Sequence, residues 1–237
     1  MTADQTDDQP AEPTTRAAGK PTDAWLMLLP PGWARFPTGE GRERELDRAI
    51  EEVVLRALPD SMPRDKVEPF RRMLRDELYK NLSEARDAGT GAVYLPTEPM
   101  EGVQVPASIA EVEWVGEAGS DPLQVVAAVL GDDYEDSDLV ELDGRPGVRV
   151  VHTRHRARRD DTWPELSTRQ VVYAVSRDEE AGEWLLLSFS TVWNNHSSQM
   201  LAEALVLFFD AVMTTFRWAG PGADLQGIPE RVVPGSA

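Results

Sequence analysis

The side chains best suited to proton transfer or metal binding are three histidines, His152, His155 and His196. His152 and His155 lie an odd number of residues apart in a stretch of strand character, so they point to opposite faces and cannot join in one metal site without a bulge. Val148, Val150, Arg154 and Arg156 share the face of His152, while Arg149, Val151 and Thr153 share that of His155. His196 sits in "WNNHSSQ", where Asn195, Ser197 and Ser198 are all good helix N-caps. No Gly-x-Ser-x-Gly elbow accompanies those serines, so a Ser-His-Asp hydrolase has no frame here.

The segment Gly131 to Gly144, "GDDYEDSDLVELDG", is dense in carboxylates but fails as a calcium loop. Asp138 stands where the turn glycine belongs, and no bidentate Glu follows at the required interval. A solvated loop is expected, with the basic stretch "RHRARRDD" a partner for it. "GTGAVYLP" leads into a strand instead of from a strand into a helix, and it lacks a third glycine, so it is no dinucleotide fingerprint. Cysteine is absent, which excludes disulfides and thiolate chemistry and suits a reducing cytosol. No catalytic residue, cofactor site or metal site is expected.

The net charge of −18 repels phosphate backbones and anionic membrane surfaces. Its plain consequence is solubility, and its sharper one is attraction to a basic protein partner. No run of eighteen apolar residues is present, so no membrane-spanning helix is expected. Lys20, Lys66 and Lys80 are the lysines beside many arginines, a bias typical of GC-rich genomes.

The elements that would position these groups can be read from periodicity. Residues 1–23 hold almost no large apolar side chain and are expected as a disordered tail without the apolar heart of an export signal. Trp25 to Leu29 is apolar at every position and reads as a strand covered on both faces, stopped by Pro30, Pro31 and Gly32. Leu46, Ile50, Val53, Val54 and Ala57 mark one helix. Phe70, Met73, Leu74, Leu78 and Leu82 mark a second, starting at Pro63 or Pro69 and ending at Gly89. Two strands follow, the second with Val112 and Trp114 opposite Glu111 and Glu113. Asp121, Pro122 and Gly131 frame a short helix, and an Asp-Gly-Arg-Pro-Gly turn, Asp143 to Gly147, joins the first two of four strands. A helix with a wide apolar face over 200–216 closes the domain, taken as residues 24–218, and 219–237 reads as a loose tail.

This order resembles the PsbP-like fold, shared by photosystem II PsbP subunits, a Ran-binding import factor and small actinobacterial lipoproteins. The likeness rests on the turn Pro31, Gly32 and Trp33, and on Glu183 to Thr191 leading into the helix Ser197 to Phe216. The chain departs from it in the two-helix insertion at 42–88 and in having no lipobox cysteine. The resemblance implies an α+β sandwich, a mainly antiparallel sheet with helices on its faces, acting by protein binding. A helix-grip (START-like) domain, in which the sheet wraps the last helix around an apolar ligand, is the alternative. The doubly covered Trp25–Leu29 strand favours the sandwich. The expected function is a cytosolic, non-enzymatic accessory or adaptor protein using an acidic surface. A carrier of an apolar small molecule ranks second, and an enzyme built on His152 or His155 last.

Overall fold

Long alternating strands need cover on each face, and four helices and a small second sheet supply it here. The computed structural model describes residues 24–58, 61–100, 102–131, 134–156, 166–220 and 232–234. The first half holds strands β1 (Ala24–Leu28) and β2 (Trp33–Pro37), helices α1 (Glu43–Arg56) and α2 (Arg64–Asp87), and strands β3 (Ala92–Pro96) and β4 (Ala107–Val115). Helix α3 (Pro122–Leu130) follows, then β5 (Asp136–Leu142), β6 (Arg145–Arg156), β7 (Leu166–Asp178) and β8 (Glu183–Trp193). Helix α4 (His196–Met213), β9 (Arg217–Gly220) and β10 (Val232–Pro234) complete the order.

The main sheet is antiparallel, with seven strands in the order β2-β3-β4-β8-β7-β6-β5. On one face α4 lays Leu205, Phe209, Val212 and Met213 against Val171, Tyr173, Leu187 and Phe189. On the other, α3 packs Val125 and Val126 on Val148, Val172 and Leu186, while α1 and α2 close over Phe36 and Val93. The molecule is thus a mixed α+β structure with helices on both faces of an antiparallel sheet. Among the described residues no helix is long and apolar enough to cross a membrane.

Local chemistry fixes the boundaries. Asp121 Oδ1 accepts from the N–H groups of Leu123 and Gln124 at 2.8 and 3.0 Å, and Gln124 Oε1 accepts from Asp121 N–H, a capping box with Pro122 in the first turn. Asn195 caps α4 in the same reciprocal way with Ser198, so His196 becomes an exposed first-turn residue. The β5–β6 hairpin turns on Asp143 and Gly144 alone, both with positive φ, as a two-residue turn requires; Arg145, Pro146 and Gly147, expected within the turn, instead pair with β5 as the start of β6. At Gly147 a Cβ would stand 2.6 Å from the Ala174 carbonyl oxygen, so only glycine fits there.

Four expectations are corrected. Strand β1 is not covered on both faces: Trp25, Met27 and Leu29 are buried, but Leu26 is half-buried and Leu28 is 46 % exposed. The reason is that β1 lies outside the main sheet, paired with β9 and β10 in a three-stranded sheet of its own. Between β1 and α1, where the sequence reading places a turn at Pro31–Trp33 and no strand, residues 33–37 form the edge strand β2. The segment 219–237, read as a loose tail, contributes Val232–Pro234 to that small sheet, antiparallel to β1. In the acidic segment 131–144, read as a solvated loop, Asp136–Leu142 is strand β5, which takes in the hairpin strand expected from Asp138 and extends it by two residues. Helix α2 starts at Arg64 with Pro63 as its cap, and Pro69 lies within it. Residues 1–23 lie outside the described residues.

Candidate functional site

The histidines fall on opposite faces of β6, as alternation requires. His152, buried, pairs with Gln170 across the ladder, and its Nε2 accepts from Arg154 Nε at 2.8 Å. His155 is opposite Ser167, with Nδ1 2.9 Å from Ser167 Oγ and its ring edge-on to Trp193. The basic stretch that follows them runs from residue 157 outside the described residues. Among the described residues no three histidine or carboxylate side chains gather as a metal ion needs.

Two polar clusters are built into the face beneath α4. In the first, Glu111 is 0 % exposed and accepts from Tyr94 Oη at 2.8 Å, with Arg35 Nη2 3.8 Å away. The strand alternation places Glu111 opposite Val112 and so predicts solvent for it; β4 instead has cover on both faces, and the carboxylate sits in the core. In the second, Arg149 grips Asp210 through Nε at 2.8 Å and Nη2 at 2.9 Å, and Tyr173 Oη donates to Asp210 Oδ1 at 2.8 Å. This fork ties α4 to β6 and β7, and the bond to Asp210 raises the Arg149 pKa further.

Burial raises the pKa of Tyr173, helped by its bond to Asp210, and burial beside the Glu111 charge does the same for Tyr94. A raised pKa means the folded protein keeps protons that the unfolded chain releases above about pH 10. Stability is therefore full below that point and expected to fall as pH rises beyond it. Urea unfolding between about pH 8 and about pH 11 should show this alkaline decline, with a shallower slope for Tyr173→Phe. An unchanged slope in that variant removes Tyr173 from the account.

The concave feature on the acidic side arises from a mismatch of strand lengths. Strand β3 pairs with β4 only as far as Ala92↔Glu111, while β4 runs on to Val115 beside β8. Beyond Glu111 no described strand pairs with that edge of β4, and Val115 is 62 % exposed. The step opens a groove of about 600 Å³, bounded by the first turn of α1 and the last of α2, with Glu40, Arg42, Glu43, Arg86 and Glu113 on its walls. Its cations face acids: Arg86 lies 3.8 Å from Glu43, and Arg42 bonds Glu45 at 3.2 Å.

Antiparallel pairing also sorts charge. The turns after β4, β5 and β7 all emerge at one end of the sheet, the end at which the groove lies beside β4. Glu117, Asp121, Asp178, Glu179 and Glu180 are exposed in them. The opposite end carries Arg154, His155 and Arg169, the last stacked over Trp193. Sequence reading found the acidic total but not its gathering, because these residues come from turns far apart in the chain. No protein-family model matches the chain, and no curated protein matches its sequence.

Proposed function

We propose that this protein is a cytosolic accessory or adaptor protein that acts by binding and not by catalysis, and that its acidic groove receives a basic, extended segment of a protein partner. The observation that carries this reading is the gathering of the exposed carboxylates Glu117, Asp121, Asp178, Glu179 and Glu180 at the end of the sheet where the groove lies. Basic side chains of an extended segment laid along the groove would meet Glu40 in its wall and Glu117 beside it, while Glu113 there is already held by Arg177 at 2.9 Å. An acidic rim speeds encounter and selects the sign of the partner.

The PsbP-like sandwich remains our reading of the fold family. Helices on both faces of the sheet and the Gly32–Trp33 turn support it, although the covering of β1 no longer does. The alternative, a helix-grip carrier of an apolar small molecule, needs space under α4. Phe209 stacked on Phe189 at 4.9 Å and Phe216 stacked on Trp25 at 5.7 Å occupy that zone, which favours the adaptor.

The test is quantitative recovery of bound material from the host, comparing the wild type with a Glu40→Lys/Glu117→Lys variant. A stoichiometric protein partner with a basic segment, lost in the variant, is expected. Equal recovery with both chains, or an apolar small molecule in native mass spectra, would sink the reading.

A further inference from the structure

Helix α4 is apolar on two sides. Its inner side belongs to the core, yet its solvent side carries Ser197, Met200, Ala204, Leu207, Ala211 and Thr214, all exposed, with Met200 at 61 % and Leu207 at 70 %. These positions alternate by three and four residues, the seam of an antiparallel helix pair. In a chain of net charge −18, Glu203 is the exposed charge on this face between Met200 and Thr214.

We propose that a second copy of this chain docks here, the two α4 helices antiparallel about a twofold axis that passes between Ala204 and Leu207. The spacing of the seam reads the same from both ends, and its side-chain sizes are complementary from one end to the other. Under that symmetry Met200 of one copy meets Ala211 of the other, and Ala204 meets Leu207, so each large side chain fills the gap over a small one. Ser197 meets Thr214 at the two ends. Glu203 falls opposite Phe208 instead of its own mate, which spares the pair the like-charge contact that most of this acidic surface would impose. A basic partner would gain little from so uncharged a face.

Area sets the strength. The seam spans about 26 Å at about 1.5 Å per residue. With a contact width near 10 Å it buries roughly 300 Å² per copy, under the ~800 Å² of a standard interface. Phe208, stacked on Trp33 at 6.4 Å, widens the rim but does not close that gap. The dimer is therefore weak and forms with rising concentration. It is independent of the groove at β4 and goes beyond the binding role given above.

Sedimentation velocity of the full chain from about 5 µM to about 500 µM tests this by mass action. The expected mass climbs from 26.3 kDa towards twice that value. Leu207→Glu should hold it at the monomer with an unchanged circular dichroism spectrum, while Leu139→Glu, at an equally exposed leucine on β5, should not. Because the chain lacks cysteine, a mixture of A204C and L207C chains reports register. Oxidation should yield the mixed disulfide several-fold over either like pair. A monomer at every concentration, a dimer indifferent to Leu207→Glu, predominance of like pairs, or a monomer retained on phosphatidylcholine vesicles would each overturn the proposal.

Discussion

Truncating Phe209 to alanine should destabilise the protein by about 3–5 kcal/mol, the range for deleting a buried aromatic ring. Phe209 is fully buried, stacked on Phe189 at 4.9 Å and edge-on to Tyr173 at 5.7 Å. The cost has two parts: the apolar surface no longer withheld from water, and the cavity its neighbours cannot fill. Collapse is hindered because the next residue, Asp210, is clamped by Arg149 and Tyr173, which holds the helix at its present height above the sheet. At about 2–4 °C per kcal/mol for a chain of this size, the melting temperature should drop by roughly 10 °C or more. Chemical denaturation gives the free energy directly. A loss below about 1.5 kcal/mol would mean that α4 settles onto the sheet despite the clamp.

The second large effect concerns charge in the core. Changing Arg35 to methionine keeps much of the side chain's bulk but strips the guanidinium from the neighbourhood of Glu111. Tyr94 would still donate to the carboxylate at 2.8 Å, but a phenol does not balance a negative charge. Breaking one side of a buried ion pair costs about 3–5 kcal/mol, most of it the charge left behind. The double change Arg35→Met/Glu111→Gln should be milder than the sum of the single changes, because it removes the stranded charge as well. A double-mutant cycle reads that coupling. Additive effects would show that the two groups do not sense each other across their 3.8 Å separation.

Much of the architecture is legible from short-range rules. The capping box at Asp121, a hairpin beginning at Asp143–Gly144 and the Leu46, Ile50 and Val54 face of α1 follow from residue type and spacing, whereas the apolar face read over 200–216 of α4 divides, with Leu205, Phe209, Val212 and Met213 buried and Met200 and Ala204 turned to solvent. What fails is what depends on distant neighbours. Glu111 and Glu113 alternate with Val112 and Trp114 as a half-exposed strand would, but a central strand with two covered faces turns one glutamate into a core residue. Its companions, Tyr94 and Arg35, stand on strands of their own. Trp25 to Leu29 invites the reading of a strand covered on both sides, because nothing in five apolar residues tells which sheet they join. The groove at β4 has no signature at all. It exists because β3 stops short, and strand length relative to a neighbour is not written in either strand.

The pairing of β1 with β10 has a mechanical side. The register Leu26↔Pro234, Met27↔Val233, Leu28↔Val232 is antiparallel, so the outer ends of the two strands leave the sheet side by side. Tension applied through the flanking segments would open this ladder one rung at a time, like a zipper, where a parallel arrangement would resist in shear. In chain order β1 precedes every strand of the main sheet, while both of its partners, β9 and β10, follow all of them. Until β9 is made Trp25 and Met27 have no sheet to sit in, and strands made after the main sheet fasten one made before it.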